Sequence, residues 1–185
     1  MVSRSFPKRR LRTSDYDAHP VNFYNATPLS DGTVDARVQL EKVGTDQMWK
    51  CAGWTFARNW VQHGGKAFVG VYIVGSTYPG INEATSVCGQ SGYVCHEGDI
   101  EIVFGTVPNP TSAQSTLISE VQRRYKAFLQ DGTPNGPGLS PWTQASTTNI
   151  NPLNLGGTGG PIPEGSCAPS FWGAAVQYDY QIYGL

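Results

Sequence analysis

The segment 45-TDQMWKCAGWTFARNWVQHGGKAFVGVYIV-74 predicts a helix followed by a buried strand. Thr45 or Asp46 can cap the helix N-terminus through a side-chain oxygen, and Gly64-Gly65 can end the helix because glycine takes the left-handed conformation without steric cost. Residues 67–74 are a near-continuous apolar run, which is typical of a parallel strand covered by helices on both faces. A helix that leads into such a strand is half of a βαβ unit, so the predicted class is α/β.

The predicted core is taken from helical periodicity. In the first helix, the residues on a 3.6-residue period are Met48, Cys51, Ala52, Thr55, Phe56, Asn59 and Trp60. We expect Met48, the apolar part of this face and the tryptophans to be buried. A second helix is predicted over residues 112–132, capped by Ser112 and ended by Gly132. The apolar face of this second helix comprises Leu117, Ile118, Val121, Tyr125, Phe128 and Leu129.

The remaining segments give weaker signals. Residues 34–40 alternate between apolar and polar, and either a helix or a strand is compatible with them. Residues 75–95 and 133–166 are rich in Gly, Pro, Asn, Ser and Thr and are predicted as loops, with Trp142 and Leu153–Leu155 as apolar anchors. Residues 168–185 are predicted as a terminal helix.

Charge and hydropathy exclude some partners. The net charge is −1, and five of the 13 Lys and Arg lie in the first twelve residues, on a Ser/Pro/Arg terminus rather than on a folded face. That pattern favours a solvated tail over a nucleic-acid surface, so no nucleic-acid partner is predicted. No apolar run approaches the length of a membrane span, and no apolar segment follows the basic start, so neither a transmembrane segment nor a signal peptide is predicted.

Other features indicate an extracellular protein. The chain has four cysteines, and Asn25-Ala26-Thr27 forms a candidate glycosylation site at Asn25. A secreted type of composition without a secretion signal suggests that residues 1–33 are a poorly structured N-terminus that is not the natural one.

The three histidines are candidates for a catalytic role. His19 lies in the irregular N-terminal part, and His63 lies where the first helix ends, so a structural role is favoured for both. His96 follows a glycine- and serine-rich loop beyond the predicted strand and is surrounded by Glu97, Asp99 and Glu101. A catalytic imidazole needs a carboxylate that fixes its tautomer and a loop at the carboxyl edge of a sheet, so His96 is the strongest candidate.

The sequence offers no convincing nucleophile. Ser91, in Gly89-Gln90-Ser91-Gly92-Tyr93, lacks the second glycine of a Gly-x-Ser-x-Gly elbow, and no such motif occurs elsewhere in the 185 residues. The four cysteines allow three disulfide pairings. No two cysteines are close enough in sequence to suggest a zinc site. A bond between Cys88 and Cys95 would close a short loop just before His96, and a bond between Cys51 and Cys167 would join the first helix to the last. No cofactor or metal is predicted.

Taken in order, these segments resemble a known family. The helix with 51-CAGWTFAR-58, the strand with 69-VGVY-72, the block 95-CHEGDIEIVFG-105 and the ending 167-CAPSFW-172 resemble the C-terminal part of type B carboxylesterases. This carboxylesterase/lipase family includes the cholinesterases, and the resemblance is closest to fungal secreted members. It covers about residues 34–185 and implies the C-terminal portion of an incomplete α/β-hydrolase fold: helix, buried strand, histidine loop and C-terminal helices.

The resemblance assigns roles to individual residues. It implies that His96 is the general base of a serine esterase triad and that Asp99 supports it without being the triad acid. It implies a disulfide between Cys51 and Cys167. The pair Cys88–Cys95 has no counterpart in the resemblance and depends on spacing alone.

The missing nucleophile determines the function that we expect. In this fold the triad residues follow the order Ser, Asp/Glu, His, and the residues before His96 leave no room for the nucleophile elbow. We therefore expect a fragment of a carboxylic ester hydrolase, inactive alone, whose intact form acts on an ester or lipid substrate. The alternative is a non-catalytic binding or adhesion module that reuses the esterase scaffold. A third possibility is that another chain supplies the missing N-terminal part.

Overall fold

The computed structural model describes residues 23–24, 32–33, 36–77, 93–157 and 159–175. The chain divides into two compact units, Met1–Thr45 and Asp46–Leu185. In the first unit the described helix is α1 (Arg37–Thr45), so the segment for which helix and strand were both open is helical from Arg37 onward. The expected division of the chain at residue 33 stays a prediction.

The second unit combines helices with a small parallel sheet. In chain order its described elements are α2 (Cys51–Gln62), β1 (Gly70–Tyr72), α3 (Ile100–Phe104), α4 (Ser112–Asp131), β2 (Leu153–Leu155) and α5 (Trp172–Ala175). A π-helical turn, Asp46–Lys50, precedes α2, and a 3-10 turn, Gly165–Cys167, precedes α5. The predicted terminal helix is described only as far as residue 175, where α5 ends.

Both strands of the sheet differ from the prediction: β1 is shorter than the predicted strand, and its partner β2 was predicted as part of a loop. β1 pairs in parallel with β2, with Gly70 opposite Leu153 and Tyr72 opposite Leu155. The predicted strand over residues 67–74 was therefore too long, and its residues in β1 are only half-buried. Leu153–Leu155, predicted as loop anchors, form the partner strand. A ladder extends only as far as its partner allows, and β2 offers three residues.

The expectation of helices on both faces of the strand is confirmed. Along residues 67–74, alternate side chains face opposite sides, as a pleated strand requires. Ala67, Val69 and Val71 pack against a group that we call the disulfide cluster, which consists of Cys51, Trp54, Ala57, Ala145, Ile150 and Cys167. Phe68, Tyr72 and Val74 pack against a group that we call the sheet cluster, which consists of Ile102, Leu117, Val121, Trp142, Leu153 and Leu155.

Helix α4 lies where the sequence predicts it. Its cap is Thr111 rather than Ser112: the Thr111 hydroxyl accepts from the Gln114 N–H at 3.3 Å, and Gln114 Oε1 accepts from the Thr111 N–H at 2.9 Å. Gly132 ends the helix with φ at +69°, as predicted. Leu117 and Val121 are buried, whereas Leu129 is 84 % exposed, so the predicted apolar face is wrong at its C-terminal end.

Helix α2 buries a different face from the predicted one. The buried residues are Cys51, Trp54, Thr55, Ala57 and Arg58. Met48, Trp49, Phe56 and Trp60 are exposed, so the prediction that Met48 and all the tryptophans belong to the core was wrong, although Trp54 and Trp142 are buried. One reason is the π-helical turn: it bonds residue i to i+5, so it changes the angular phase between residue 48 and the rest of α2. Neither Thr45 nor Asp46 caps α2, since the residue before it is Lys50.

Candidate active site

His96 lies on a turn between the segment that follows β1 and helix α3. Within the turn, Gly98 N–H donates to Cys95 O at 2.9 Å, and Ile100 N–H donates to Glu97 O at 3.1 Å. Ser76, four residues beyond β1, donates its N–H to Gly98 O at 2.7 Å. The turn is therefore held near the carboxyl end of β1, the edge of a parallel sheet where ligands of open α/β folds bind.

The imidazole of His96 is largely open to solvent. Its side chain is 77 % exposed, and its Nε2 lies 4.0 Å from Glu97 Oε1. Its ring centroid lies 5.6 Å from that of Trp49, with 35° between the ring planes. Among the described residues, no carboxylate oxygen lies within hydrogen-bonding distance of this imidazole. The arrangement provides an accessible acid–base group, and the described residues do not supply the carboxylate that would orient it.

The charge of Asp99 contributes to the raised pKa of Tyr72. Its side chain does not cap α3, which it precedes. Burial raises the pKa of the Tyr72 phenol far above its usual range, and the hydrogen bond with the Tyr125 hydroxyl at 2.9 Å and the charges of Tyr125 and Asp99 add to the effect. The charge of Asp99 is thus a minor contribution to the raised pKa of Tyr72, and the predicted supporting role of Asp99 toward His96 stays a prediction.

The disulfide between Cys51 and Cys167, which the resemblance implied, is present. Cys95 is also disulfide-bonded, and its predicted partner Cys88 lies outside the described residues. The sulfurs of Cys51 and Cys167 lie within 4.8 Å of an Asp46 carboxylate oxygen, but both belong to the disulfide and offer no thiolate to a metal. The Asp46 carboxylate instead accepts a hydrogen bond from the Ser166 hydroxyl.

The other sequence candidates are placed as follows. His63 is the C-cap of α2, and its Nδ1 lies 2.8 Å from Asn59 O, which confirms the structural role predicted for it. His19, Asn25 and Ser91 lie outside the described residues.

An apolar groove lies along the sheet-cluster face of β1. Aromatic rings of Phe68, Tyr72, Tyr125, Phe128 and Trp142 line it, and its volume is about 230 Å³. His96 is not among its lining residues. None of the described helices has the length and apolar character that crossing a membrane requires.

Sequence reasoning missed two residues around the His96 turn, Ser76 and Trp49. Ser76 is buried, and its hydroxyl donates to Glu101 Oε2 at 2.6 Å, although the sequence predicts only a loop there. Trp49, which faces His96, was predicted as core. The available signal was a serine just after an apolar strand and an acid two residues past the histidine turn. Only the fold brings Ser76 and Glu101 together.

Comparison with known proteins gives a family. The chain matches the model of the Carboxylesterase family over residues 2–161. That match includes the N-terminal residues outside the resemblance and ends before Cys167. No curated protein sequence matches the chain.

A solved structure shows limited similarity. It is an esterase from the anaerobe Clostridium hathewayi, which is described as able to hydrolyse aliphatic aromatic polyesters, with a TM-score of 0.41 and 14 % sequence identity. The similarity covers 70 % of this chain and 31 % of that esterase, so the chain spans about a third of its length.

The family match covers most of the 185 residues and agrees with the resemblance of the helix, strand and histidine block. It implies an α/β-hydrolase-like fold, of which the described residues form helices and a two-stranded parallel sheet. The chain belongs to the carboxylesterase family.

Proposed function

We propose that this chain is the C-terminal part of a secreted serine esterase and contributes His96 as the general base of the catalytic triad. The observation that supports this most is the position of His96, on an exposed turn held near the carboxyl end of β1 in a chain of the carboxylesterase family. The two common structural roles of a histidine, capping a helix and filling the core, do not describe His96.

In the proposed reaction, the ester acyl group is transferred to a serine and then hydrolysed by water. His96 takes the proton from the serine hydroxyl as it attacks and returns it to the leaving alcohol. The 185 residues contain no Gly-x-Ser-x-Gly elbow, so the serine, and with it the triad acid, would come from the part of the fold that this chain does not include. The disulfide at Cys51–Cys167 is consistent with folding in an oxidising, extracellular compartment.

The first test is the esterase activity of the purified chain. We expect no hydrolysis of short-chain p-nitrophenyl esters above the buffer rate, and no difference between the chain and His96→Ala, because a histidine without its serine contributes almost no catalysis. Turnover that is lost in His96→Ala would contradict the proposed inactivity.

The second test uses the genomic DNA upstream of the Met1 codon. If an in-frame Gly-x-Ser-x-Gly motif is present, the longer protein should hydrolyse these esters, and His96→Ala should lower kcat/KM by about 10⁴-fold or more. The matched control is His63→Ala, which removes an exposed helix-capping imidazole and should leave kcat/KM nearly unchanged. An active longer protein that tolerates His96→Ala would refute the assignment of the base. A folded 185-residue chain that binds a protein ligand would favour the binding-module alternative.

A further inference from the structure

The position of the His96 imidazole is set mainly by the backbone that carries it. The side chain is 77 % exposed and has the Trp49 ring and the Glu97 carboxylate as its neighbours. Such contacts on exposed groups contribute little energy. The orientation of the imidazole therefore depends on how firmly the turn Cys95–Asp99 is held.

Ser76 holds this turn from both sides. Its N–H donates to Gly98 O at 2.7 Å, within the turn, and its hydroxyl donates to Glu101 Oε2 at 2.6 Å, in the first turn of α3. The two acceptors lie two and five residues after His96. Ser76 is 8 % exposed, so its hydroxyl bonds to a carboxylate where water competes little, which is where charge-assisted hydrogen bonds are strong.

The segment that carries Ser76 is itself held in place. Gly75 O accepts from Gln114 Nε2 at 2.9 Å, and the same Gln114 side chain caps α4. The backbones of Gly75 and Gly98 approach closely: a Cβ on Gly75 would lie 3.1 Å from Gly98 O and 2.9 Å from Val94 Cγ1. The turn is thus connected through Ser76 and Gly75 to the N-terminus of the longest described helix.

We propose that Ser76 and Glu101 are positioning residues that hold the His96 turn at the end of β1, an inference that rests on the proposed function of His96. Ser76 joins the turn to the strand segment, and Glu101 supplies the charged acceptor that fixes the Ser76 hydroxyl. Neither side chain reaches His96 itself; both act through the backbone of residues 97–100.

The test measures the position of the imidazole directly, by NMR on the oxidised 185-residue chain. The ring protons of His96 and Trp49 should show a nuclear Overhauser effect, since their ring centroids lie 5.6 Å apart. In Ser76→Ala this signal should be lost, and amide hydrogen exchange at residue 76 should accelerate about tenfold, as expected for loss of a charge-assisted hydrogen bond that holds the local structure closed. Glu101→Ala should have the same two effects.

Conservative and control variants separate positioning from general destabilisation. Glu101→Gln keeps an acceptor oxygen and should retain the ring contact, as should Ser76→Thr, which keeps the hydroxyl. Ser115→Ala removes an exposed hydroxyl from α4 and should change neither readout. The indole signal of Trp54, in the disulfide cluster, should stay unchanged in every variant and reports that the chain is folded.

These experiments test the positioning role of Ser76 and Glu101 separately from the role of His96 as the base. A folded Ser76→Ala variant that keeps both the ring contact and slow exchange would overturn the positioning role. Loss of the ring contact in Ser115→Ala as well would also overturn it. The kcat/KM of His96→Ala tests the base, and the ring contact of Ser76→Ala tests its placement, so either can fail alone.

Discussion

The two faces of β1 pack against cores of different construction. On one face, the disulfide cluster is crosslinked by Cys51–Cys167 and bordered by the ion pair of Arg58 and Glu164, with Nη2 and Oε2 2.6 Å apart. On the other face, the sheet cluster has no crosslink and is covered by α4, and its aromatic groove is open. The His96 turn is connected to this second face through Gln114 of α4.

The two faces differ in how far apart in sequence the bonded residues lie. In the disulfide cluster, the crosslink and the ion pair join residues more than a hundred positions apart. Beside the sheet cluster, the fully buried Arg124 has its guanidinium carbon 5.6 Å from the centre of the Trp142 ring, and it bonds at shorter range to Glu120, Pro134 O and Ser140 O. The first face is therefore linked between distant parts of the chain, whereas the polar bonds beside the second face stay local in sequence.

Removal of the crosslink should have the largest effect. The double variant Cys51→Ala/Cys167→Ala releases a sequence separation of 116 residues, and it should lose about 4–5 kcal/mol of unfolding free energy in the chain-entropy model. Urea unfolding of the oxidised chain and the variant measures this. The variant is cleaner than a reductant, which would also open the bond of Cys95.

The same unfolding experiment tests whether the two faces are independent. Coincident transitions of the Trp54 and Trp142 indole signals would mean that both clusters unfold as one unit. A Trp142 transition that stays in place when the crosslink is removed would show that the sheet cluster is stable alone. An unchanged Trp54 transition would contradict the importance given to the crosslink.

The buried ion pair should have the next largest effect. Arg58→Met leaves the Glu164 carboxylate, 14 % exposed, without its cation and should cost about 3 kcal/mol of unfolding free energy. Adding Glu164→Gln should restore most of the loss, because no unpaired charge then remains, and the amide oxygen can still accept from the Ile150 N–H that bonds Glu164 at 2.7 Å. Chemical unfolding of the two single variants and the double variant gives the coupling energy.

A weaker ion pair in the same region serves as the control. Lys50 and Asp46 lie 3.4 Å apart, and the Lys50 side chain is 32 % exposed. The carboxylates of Asp46 and Glu164 are equally exposed, but Lys50 is more exposed than Arg58, 32 % against 8 %. Lys50→Met should therefore cost less than about 1 kcal/mol. If Lys50→Met costs as much as Arg58→Met, burial does not explain the strength of the Arg58 pair.

On the sheet-cluster face, the smallest predicted effect depends on pH. Burial raises the pKa of Tyr72 in the folded chain, whereas in the unfolded chain the phenol titrates near its usual value of about 10. The stabilisation from the neutral phenol is therefore complete below about pH 10 and declines as the pH rises above it. Tyr72→Phe should cost about 1 kcal/mol at neutral pH, for the lost bond to Tyr125, and should reduce the alkaline loss of stability.

Tyr125→Phe is the matched variant, because it loses the same hydrogen bond but keeps the Tyr72 phenol. Urea unfolding at neutral pH and above pH 10 compares the two. Tyr125→Phe should keep a larger alkaline loss of stability than Tyr72→Phe. Identical alkaline behaviour in both variants would mean that Tyr72 is not the group responsible.

The elements predicted best are those whose signals are local. Helix α4 has a long apolar period, a capping residue and a terminal glycine, so its extent is predicted within one residue at each end. β2 was missed because three residues between Pro152 and Gly156 carry no periodicity, and only pairing with β1 makes them a strand. The buried face of α2 was mispredicted because large aromatic residues lie on both sides of the helix: Trp54 is buried, whereas Phe56 and Trp60 are exposed.

The features of the candidate site also divide into those that local sequence patterns predict and those that depend on contacts between distant residues. The family and the disulfide Cys51–Cys167 were predicted from a resemblance carried by the helix, the strand and the histidine block, which are contiguous patterns in the sequence. The same patterns single out His96, whose role as the base stays a proposal. The bond of Ser76 to Glu101 and the contact of Trp49 with His96 were not predicted, because each joins residues at least 25 positions apart. Such contacts arise when the chain packs in three dimensions, and no local preference of either partner specifies them.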